Sequence, residues 1–324
     1  MNEMTLEVSG LTVCYPTDKG AIFPVKDVSL KVPAGSIVGI VGESGCGKSM
    51  TARAVMGLLR SPGKVTAGKV FLCGREITAL PEKERRKLRG NEMSMIFQEP
   101  MTSLNPVMKV GKQVEEAIRL HTDCSREEAK KRTLELFREV EIPEAETRLG
   151  CYPHQLSGGL RQRVMIAMAM VCRPRLLIAD EPTTALDVTV EAQILKLLEH
   201  LRDAGTSVLM ISHNLGVIAR VCDEVYVMYA GRVVEQASTE SLFEQPLHPY
   251  TRGLFRSVRS LREGCETLET IPGVVPNLLR LPQGCSFSLR CPECGEKCEK
   301  TMPELLETEP GHAVRCFRAE GGEE

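Results

Sequence analysis

The 324-residue sequence has no tryptophan and few aromatic residues of any kind, five Tyr and eight Phe. It also lacks an excess of either charge, with 41 Lys+Arg against 43 Asp+Glu for a net charge of −2. No global field therefore draws it to nucleic acid or anionic lipid. Long apolar runs are missing too. The longest, Val164–Cys172, has nine residues, well short of the roughly 18–20 needed to cross a bilayer. The opening MNEMTLEVSG lacks the basic-then-apolar order of a signal peptide. These absences predict a soluble intracellular chain that meets a membrane only through a partner. A hydrophobic share of 42% and a charged share of 26% exclude a disordered or fibrous chain. Cysteine, by contrast, is plentiful. Thirteen is an odd number, and without an export signal it argues against a disulfide framework. Eight are scattered singly from Cys14 to Cys265, and five crowd between Cys285 and Cys316.

The length allows about two domains. Leu6–Tyr15 and Val25–Val32 alternate apolar and polar positions, which predicts half-buried strands. Ser36–Val41 reads as a buried strand, Met50–Leu59 as a helix and Val70–Ile77 as another strand. From Leu80 to Arg148 the chain turns charged and helical, with Ser125 and Glu128 spaced as a capping box. A turn and helix over Leu156–Cys172 precede a strand at Leu176–Ala179, a helix at Val190–Arg202 and a strand at Ser207–Ser212. Strands alternating with helices predict an α/β fold with a parallel sheet at its centre. After Gln245 the texture becomes rich in Pro, Cys and charge with little periodicity, so a domain boundary is placed there.

Gly42, Glu43, Ser44, Gly45, Cys46, Gly47, Lys48 and Ser49 match G-x-x-x-x-G-K-[ST] between a predicted strand and a predicted helix. The glycines let the backbone approach phosphate oxygens closely, and the helix start adds its dipole. Lys48 supplies a charge for the β- and γ-phosphates and Ser49 a hydroxyl for Mg²⁺. A second buried strand ends in Asp180 and Glu181. The first is suited to hold Mg²⁺ through water and the second to polarise an attacking water.

With that pair in place, Leu156-Ser157-Gly158-Gly159-Leu160-Arg161-Gln162 resembles the signature sequence of the ATP-binding cassette (ABC) ATPases. The resemblance runs from about residue 5 to 245. It places Tyr15 where an aromatic stacks on adenine, with Met50 beside the phosphate loop, Gln98 in the Q-loop, Ala185-Leu186-Asp187 in the D-loop and His213 as the switch histidine. Tyr15 is also readable as a surface strand tyrosine. The implied fold is a RecA-like parallel-sheet core with an antiparallel β subdomain and a helical insert at about 97–156. Such cassettes pair head to tail around two ATP molecules, so Ser157, Gly158, Gly159 and Asp187 would face the partner's nucleotide. Glu181 would act as base, His213 would contact the γ-phosphate, and Gln98 would join Ser49 and Asp180 around Mg²⁺.

The stretch Gln98–Pro106 resembles the Q-loop region of bacterial importers for peptides and nickel. His248-Pro249-Tyr250, Ile271-Pro272-Gly273 and the cysteines that follow are similar to the C-terminal extension of the oligopeptide/dipeptide subfamily. The chain thus divides into an ABC domain at 1–245 and a Cys-rich extension at 246–324. Cys285, Cys291, Cys298 and Cys316 match that subfamily's tail pattern, and Cys294 is additional. Dense thiolates suit a soft metal, as a [4Fe–4S] cluster or as zinc, with free thiols as the alternative. The resemblance implies a peripheral ATPase on the cytoplasmic face of the membrane, paired with a paralogous cassette in a heterodimer. Two transmembrane permease subunits and an extracytoplasmic solute-binding protein complete that assembly, without nucleic acid. Short peptides are the expected solute and nickel the alternative. The competing class is a soluble, non-transport ABC ATPase.

Overall fold

In the computed structural model, which describes residues 3–98, 103–184, 186–262 and 271–319, the chain forms two units. The first takes the chain up to Thr5, residues 32–36 and residues 79–210; the second takes residues 6–31, 37–78 and 211 onward.

In the second unit, β1 (Met4–Thr17), β2 (Gly20–Pro33), β4 (Lys64–Leu72) and β5 (Arg75–Glu76) make a sheet in the order β2-β1-β4-β5. β1 and β4 run antiparallel with Leu6 opposite Leu72 and Val13 opposite Val65. Their alternation buries Leu6, Val8, Leu11 and Val13 on one face, with the register shifting between Ser9 and Thr12. The single strand expected over Val70–Ile77 is instead a hairpin. Cys73 and Gly74 both take left-handed backbone, φ 48° and 76°, the conformation that closes a two-residue turn between twisted strands.

Beside that sheet stands β3 (Ile37–Val41), all five residues buried. It pairs in parallel with β9 (Glu224–Tyr229), Val38 opposite Glu224 and Val41 opposite Val227. β10 (Arg232–Ser238) runs antiparallel to β9, and the hairpin of β11 (Leu306–Glu309) and β12 (His312–Val314) adds to its far edge. The C-terminal segment is therefore more regular than its composition implies. Its helix, Pro249–Arg262, opens with a proline, which suits a first helical position because no N–H is needed there. The segment is fastened by Glu235 of β10, which is fully buried. That carboxylate accepts the N–H groups of Leu247 at 2.6 Å and His248 at 3.0 Å and pairs with His312 Nε2 at 2.8 Å. A buried carboxylate is tolerated because each of these partners replaces lost water.

In the first unit, β6 (Met93–Ile96) and β7 (Leu176–Asp180) pair in parallel, and β8 (Ser207–Ile211) flanks β7. Around them lie the helices Val110–His121, Arg126–Glu139, Gly158–Ala169 and Val188–Asp203. The capping box forms as the sequence implies. Glu128 N–H donates to Ser125 Oγ at 3.2 Å, and Ser125 N–H donates to Glu128 Oε2 at 2.8 Å. Arg163 ties three helical segments by donating to the Val140 carbonyl and to Gln193 Oε1.

Candidate nucleotide-binding site

The phosphate loop leaves β3 and enters the helix Lys48–Val55. Its turn is closed by Cys46 N–H donating to the Glu43 carbonyl at 3.2 Å, and Gly47 is the residue before the helix, with φ 108°. Lys48 is 5% exposed. Its ammonium folds back to the Gly42 carbonyl at 2.7 Å and the Glu43 carbonyl at 3.1 Å. Burial raises the Cys46 thiol above its ordinary pKa, against the pull of Lys48, so a neutral sulfur lines the loop. Tyr15 closes one flank. Its hydroxyl donates to Met50 Sδ at 3.6 Å, and its ring lies so close to Gly63 that a Cβ there would sit 2.1 Å from Tyr15 Cζ. Gly63 was not singled out from the sequence, although Pro62-Gly63 carries an ordinary turn signal. His213 is exposed just beyond β8, between Ser212 and Asn214. Ser212 Oγ accepts the Asn214 N–H at 3.0 Å, and Asn214 caps the next helix, Leu215–Val221.

The first unit carries the acidic residues. Parallel pairing sets Ile96 of β6 opposite Ala179 of β7. Gln98 and Glu181 each follow two residues later and emerge at the same strand ends. Gln98 Nε2 donates to Glu181 Oε2 at 2.9 Å, and Thr184 Oγ donates to the same oxygen at 3.0 Å. Asp180, one residue earlier, is 1% exposed. Glu181 takes φ 50°, a left-handed backbone that costs a non-glycine residue about 1 kcal/mol or more and is held only by surrounding contacts. Thr184 is the residue that sequence reasoning missed; its signal is a hydroxyl three positions after an acidic strand end.

Ser157 caps the helix Gly158–Ala169, its Oγ accepting the Leu160 N–H at 3.4 Å. Asp187 caps the helix Val188–Asp203 in the same way, accepting the Val190 N–H at 2.9 Å. The two helix starts pack together through Gly159, where a Cβ would lie 2.7 Å from Val190 Cγ1. Both ends present backbone N–H groups and positive dipole. Residues 99–102 of the Q-loop stretch and Ala185 of the D-loop lie outside the described residues.

The four cysteines of the tail pattern come together. Cys285, Cys291, Cys298 and Cys316 line one cavity with His248 and Phe287. Gly284 permits this, because a Cβ there would fall 2.2 Å from the Cys298 carbonyl. Cys294 does not line that cavity; its thiol faces the Gly295 carbonyl. The expectation of a metal site needs correcting in one respect. Among the described residues, no group of three or more His, Cys, Asp or Glu is placed to hold a metal ion. Burial pushes the thiols of Cys285 and Cys291 up to about 11, and neighbouring cysteines push the same way. As arranged, they are neutral thiols.

Comparison with known proteins bears on both halves. The ABC transporter family matches residues 25–184, and the family described as the oligopeptide/dipeptide transporter C-terminal region matches residues 234–298. The oligopeptide transport ATP-binding protein OppD of Escherichia coli (strain K12) is 52% identical over 314 residues, 97% of this chain and 93% of that protein. A probable peptide ABC transporter ATP-binding protein, y4tR of Sinorhizobium fredii, is 50% identical over 320 residues, 98% of this chain and 96% of its own length. Among solved structures, the dimeric post-hydrolysis state of the ATP-binding cassette MJ0796 bound to ADP and Pi aligns with a TM-score of 0.66 at 29% identity. It covers 72% of this chain and 98% of that one.

Proposed function

The chain belongs to the ATP-binding subunits of ABC transporters, in the branch with the oligopeptide/dipeptide C-terminal region, and on that premise we propose that it binds and hydrolyses MgATP to drive uptake of di- and oligopeptides. The observation that carries the proposal is the carboxylate of Glu181, fixed by Gln98 and Thr184 next to buried Asp180, in a chain whose phosphate loop is intact. The backbone of Gly42–Gly47 and the ammonium of Lys48 bind the phosphates, with Met50 beside the loop, and Tyr15 stacks on the adenine. Ser49, Gln98 and Asp180 offer oxygen donors, which is the donor set a hard cation such as Mg²⁺ requires. Mg²⁺ would neutralise charge developing on the phosphoryl oxygens. Glu181 takes the proton of the attacking water, and His213 contacts the γ-phosphate.

Ser157, Gly158 and Gly159 act across a pair of cassettes, capping nucleotide held by the partner, and Asp187 belongs to the D-loop of the same shared site. That partner is a paralogous subunit in a heterodimer, and the pair lies on the cytoplasmic face beneath two permease subunits served by a solute-binding protein. Among the described residues no helix is long and apolar enough to cross a membrane, so attachment through permeases suits the chain. The engine comprises residues 1–245, with the helical insert at about 97–156, and the extension comprises 246–324. In cells lacking this chain, uptake of a labelled tripeptide is expected to fall to background. The wild-type chain should restore it and Lys48→Ala should not. Unchanged peptide uptake with loss of nickel uptake would overturn the solute assignment.

A [4Fe–4S] cluster held by Cys285, Cys291, Cys298 and Cys316 is the further part of this proposal. Four thiols around one cavity support it. Zinc on the same thiols is the alternative. The cluster would staple a small segment. Anaerobically purified protein is expected to carry about four iron and four sulfide per chain, lost in Cys298→Ser and retained in Cys294→Ser. Stoichiometric zinc without iron, or no metal at all, would overturn it.

A further inference from the structure

Residues of the extension meet at a single residue of the phosphate loop. Arg290, whose side chain is 4% exposed, reaches Glu43 with a two-pronged fork. Its Nη1 donates to Oε2 at 2.7 Å and its Nη2 to Oε1 at 3.1 Å. The remaining donors are also used, Nε by the Pro272 carbonyl at 2.8 Å and Nη2 by the Ile271 carbonyl at 3.2 Å. The guanidinium is thus locked before it meets the loop. The backbone of the same residue is held from another side. Glu43 N–H donates to the hydroxyl oxygen of Tyr250 at 2.8 Å, and Tyr250 is fully buried. Tyr250 is fixed in turn by its N–H donating to His248 Nδ1 at 3.0 Å. Burial lowers that imidazole to about 4, so it stays neutral and able to accept. Tyr229, Tyr250 and Phe287 pack as mutually tilted or edge-on rings, with centroids 4.7 to 5.5 Å apart. Glu43 then touches the chemistry, because its carbonyl accepts Lys48 Nζ at 3.1 Å. All of these residues belong to the second unit.

We propose that Arg290 and Tyr250 are positioning residues for the phosphate loop, clamping Glu43 by carboxylate and backbone so that nucleotide affinity depends on the C-terminal extension. The proposal rests on residues 42–49 being the nucleotide loop. Electrostatics gives it a sign. Glu43 is an acidic residue in a loop built to receive a triphosphate, which is tolerable only while its charge is neutralised. Without Arg290 the carboxylate repels the phosphates and no longer fixes the carbonyl that Lys48 uses. Tyr250 contributes one hydrogen bond and no charge, so its loss should be milder. The chemistry of the reacting water is supplied elsewhere, so the effect falls on binding rather than on the turnover of bound ATP.

The test is ATP hydrolysis and ATP titration on the full-length chain. Arg290→Gln is expected to raise the KM for ATP about tenfold with kcat within about threefold, and Tyr250→Phe to raise KM about threefold. Adding Glu43→Gln to Arg290→Gln should bring KM back to within about threefold of wild type, because it removes the uncompensated charge. A merely structural role for Arg290 would leave the double variant as poor as the single one. Should Arg290→Gln fail to fold, Tyr250→Phe, which keeps the ring and its packing, decides the matter by its KM. Unchanged KM in these variants, or no rescue by Glu43→Gln, overturns the proposal. Failure of the underlying assignment looks different, since wild type and Lys48→Ala would then bind ATP equally poorly.

Discussion

Glu181→Gln is expected to lower steady-state ATP hydrolysis by about 10²- to 10⁴-fold while ATP still binds within a few-fold of wild type. The size follows from what the side chain is asked to do. In-line attack needs a group that accepts the proton of water as the bond to phosphorus forms, and an amide offers a carbonyl lone pair of negligible basicity. The geometry around Glu181 is that of a base held in one orientation. Gln98 Nε2 and Thr184 Oγ converge on Oε2, at 2.9 and 3.0 Å, which fixes the rotation of the carboxylate plane. The left-handed backbone at φ 50° adds a second constraint, of the kind retained where position matters more than local comfort. Glutamine keeps the volume and can still pair with Thr184, so the loop should hold its shape and nucleotide should enter as before. Phosphate release at saturating ATP, together with an equilibrium ATP titration, separates the two quantities. Turnover within about threefold of wild type would remove Glu181 from the role of base and leave the phosphate loop's part untouched.

How much of this was legible in the sequence depends on how far apart the cooperating residues lie. The phosphate loop is contiguous, and its glycines announce a conformation that few other residues adopt. Strand ends are nearly as readable, because continuous apolar runs stop abruptly at Gly42 and at Asp180. The capping box of Ser125 and Glu128 is a three-residue relation and formed as written. Local pattern failed where a turn was hidden inside it. Cys73 gives no turn signal by type, so the β4–β5 hairpin read as one strand. It failed more completely in the extension, whose hairpin β11–β12 is held by the pairing of β12 with β10 rather than by its own short pattern, and whose helix Pro249–Arg262 was not read at all. Pairs such as Arg290 with Glu43, 247 positions apart, have no local signature at all. Tyr250 is named in the sequence only as a letter of a motif and Arg290 is not singled out at all, and the structure brings both to the phosphate loop. The cysteines lie between these extremes. The tail pattern already set Cys294 apart from the other four, and folding gathers those four around one cavity.

Alanine at Gly47 is expected to damage the loop severely, and comparison with Gly45 shows why. Both glycines take positive φ, 108° at Gly47 and 80° at Gly45. Either alanine must therefore bear left-handed strain of about 1–2 kcal/mol. Their surroundings differ. A Cβ on Gly45 meets nothing within 4 Å, whereas on Gly47 it would lie 2.2 Å from the Pro24 carbonyl oxygen. That oxygen belongs to the backbone of β2 and cannot rotate away, so the strand or the loop must shift. Overpacking of this kind adds about 1–3 kcal/mol. Gly47→Ala should thus destabilise the chain by about 3 kcal/mol in all, and Gly45→Ala by about 1 kcal/mol. Function magnifies the difference, because Gly47 also sets the first turn of the helix, its carbonyl accepting the Thr51 N–H at 2.9 Å. A displaced Gly47 moves Lys48 and the helix N-terminus together, the two features that recognise phosphate. ATP affinity should accordingly fall about 100-fold or more in Gly47→Ala, equivalent to about 2.7 kcal/mol, and less than tenfold in Gly45→Ala. Thermal unfolding and ATP titration of the two variants side by side provide the check. If both lost affinity equally, strain would be the whole cause. If neither did, the close approach of β2 to the loop would have no part in shaping it.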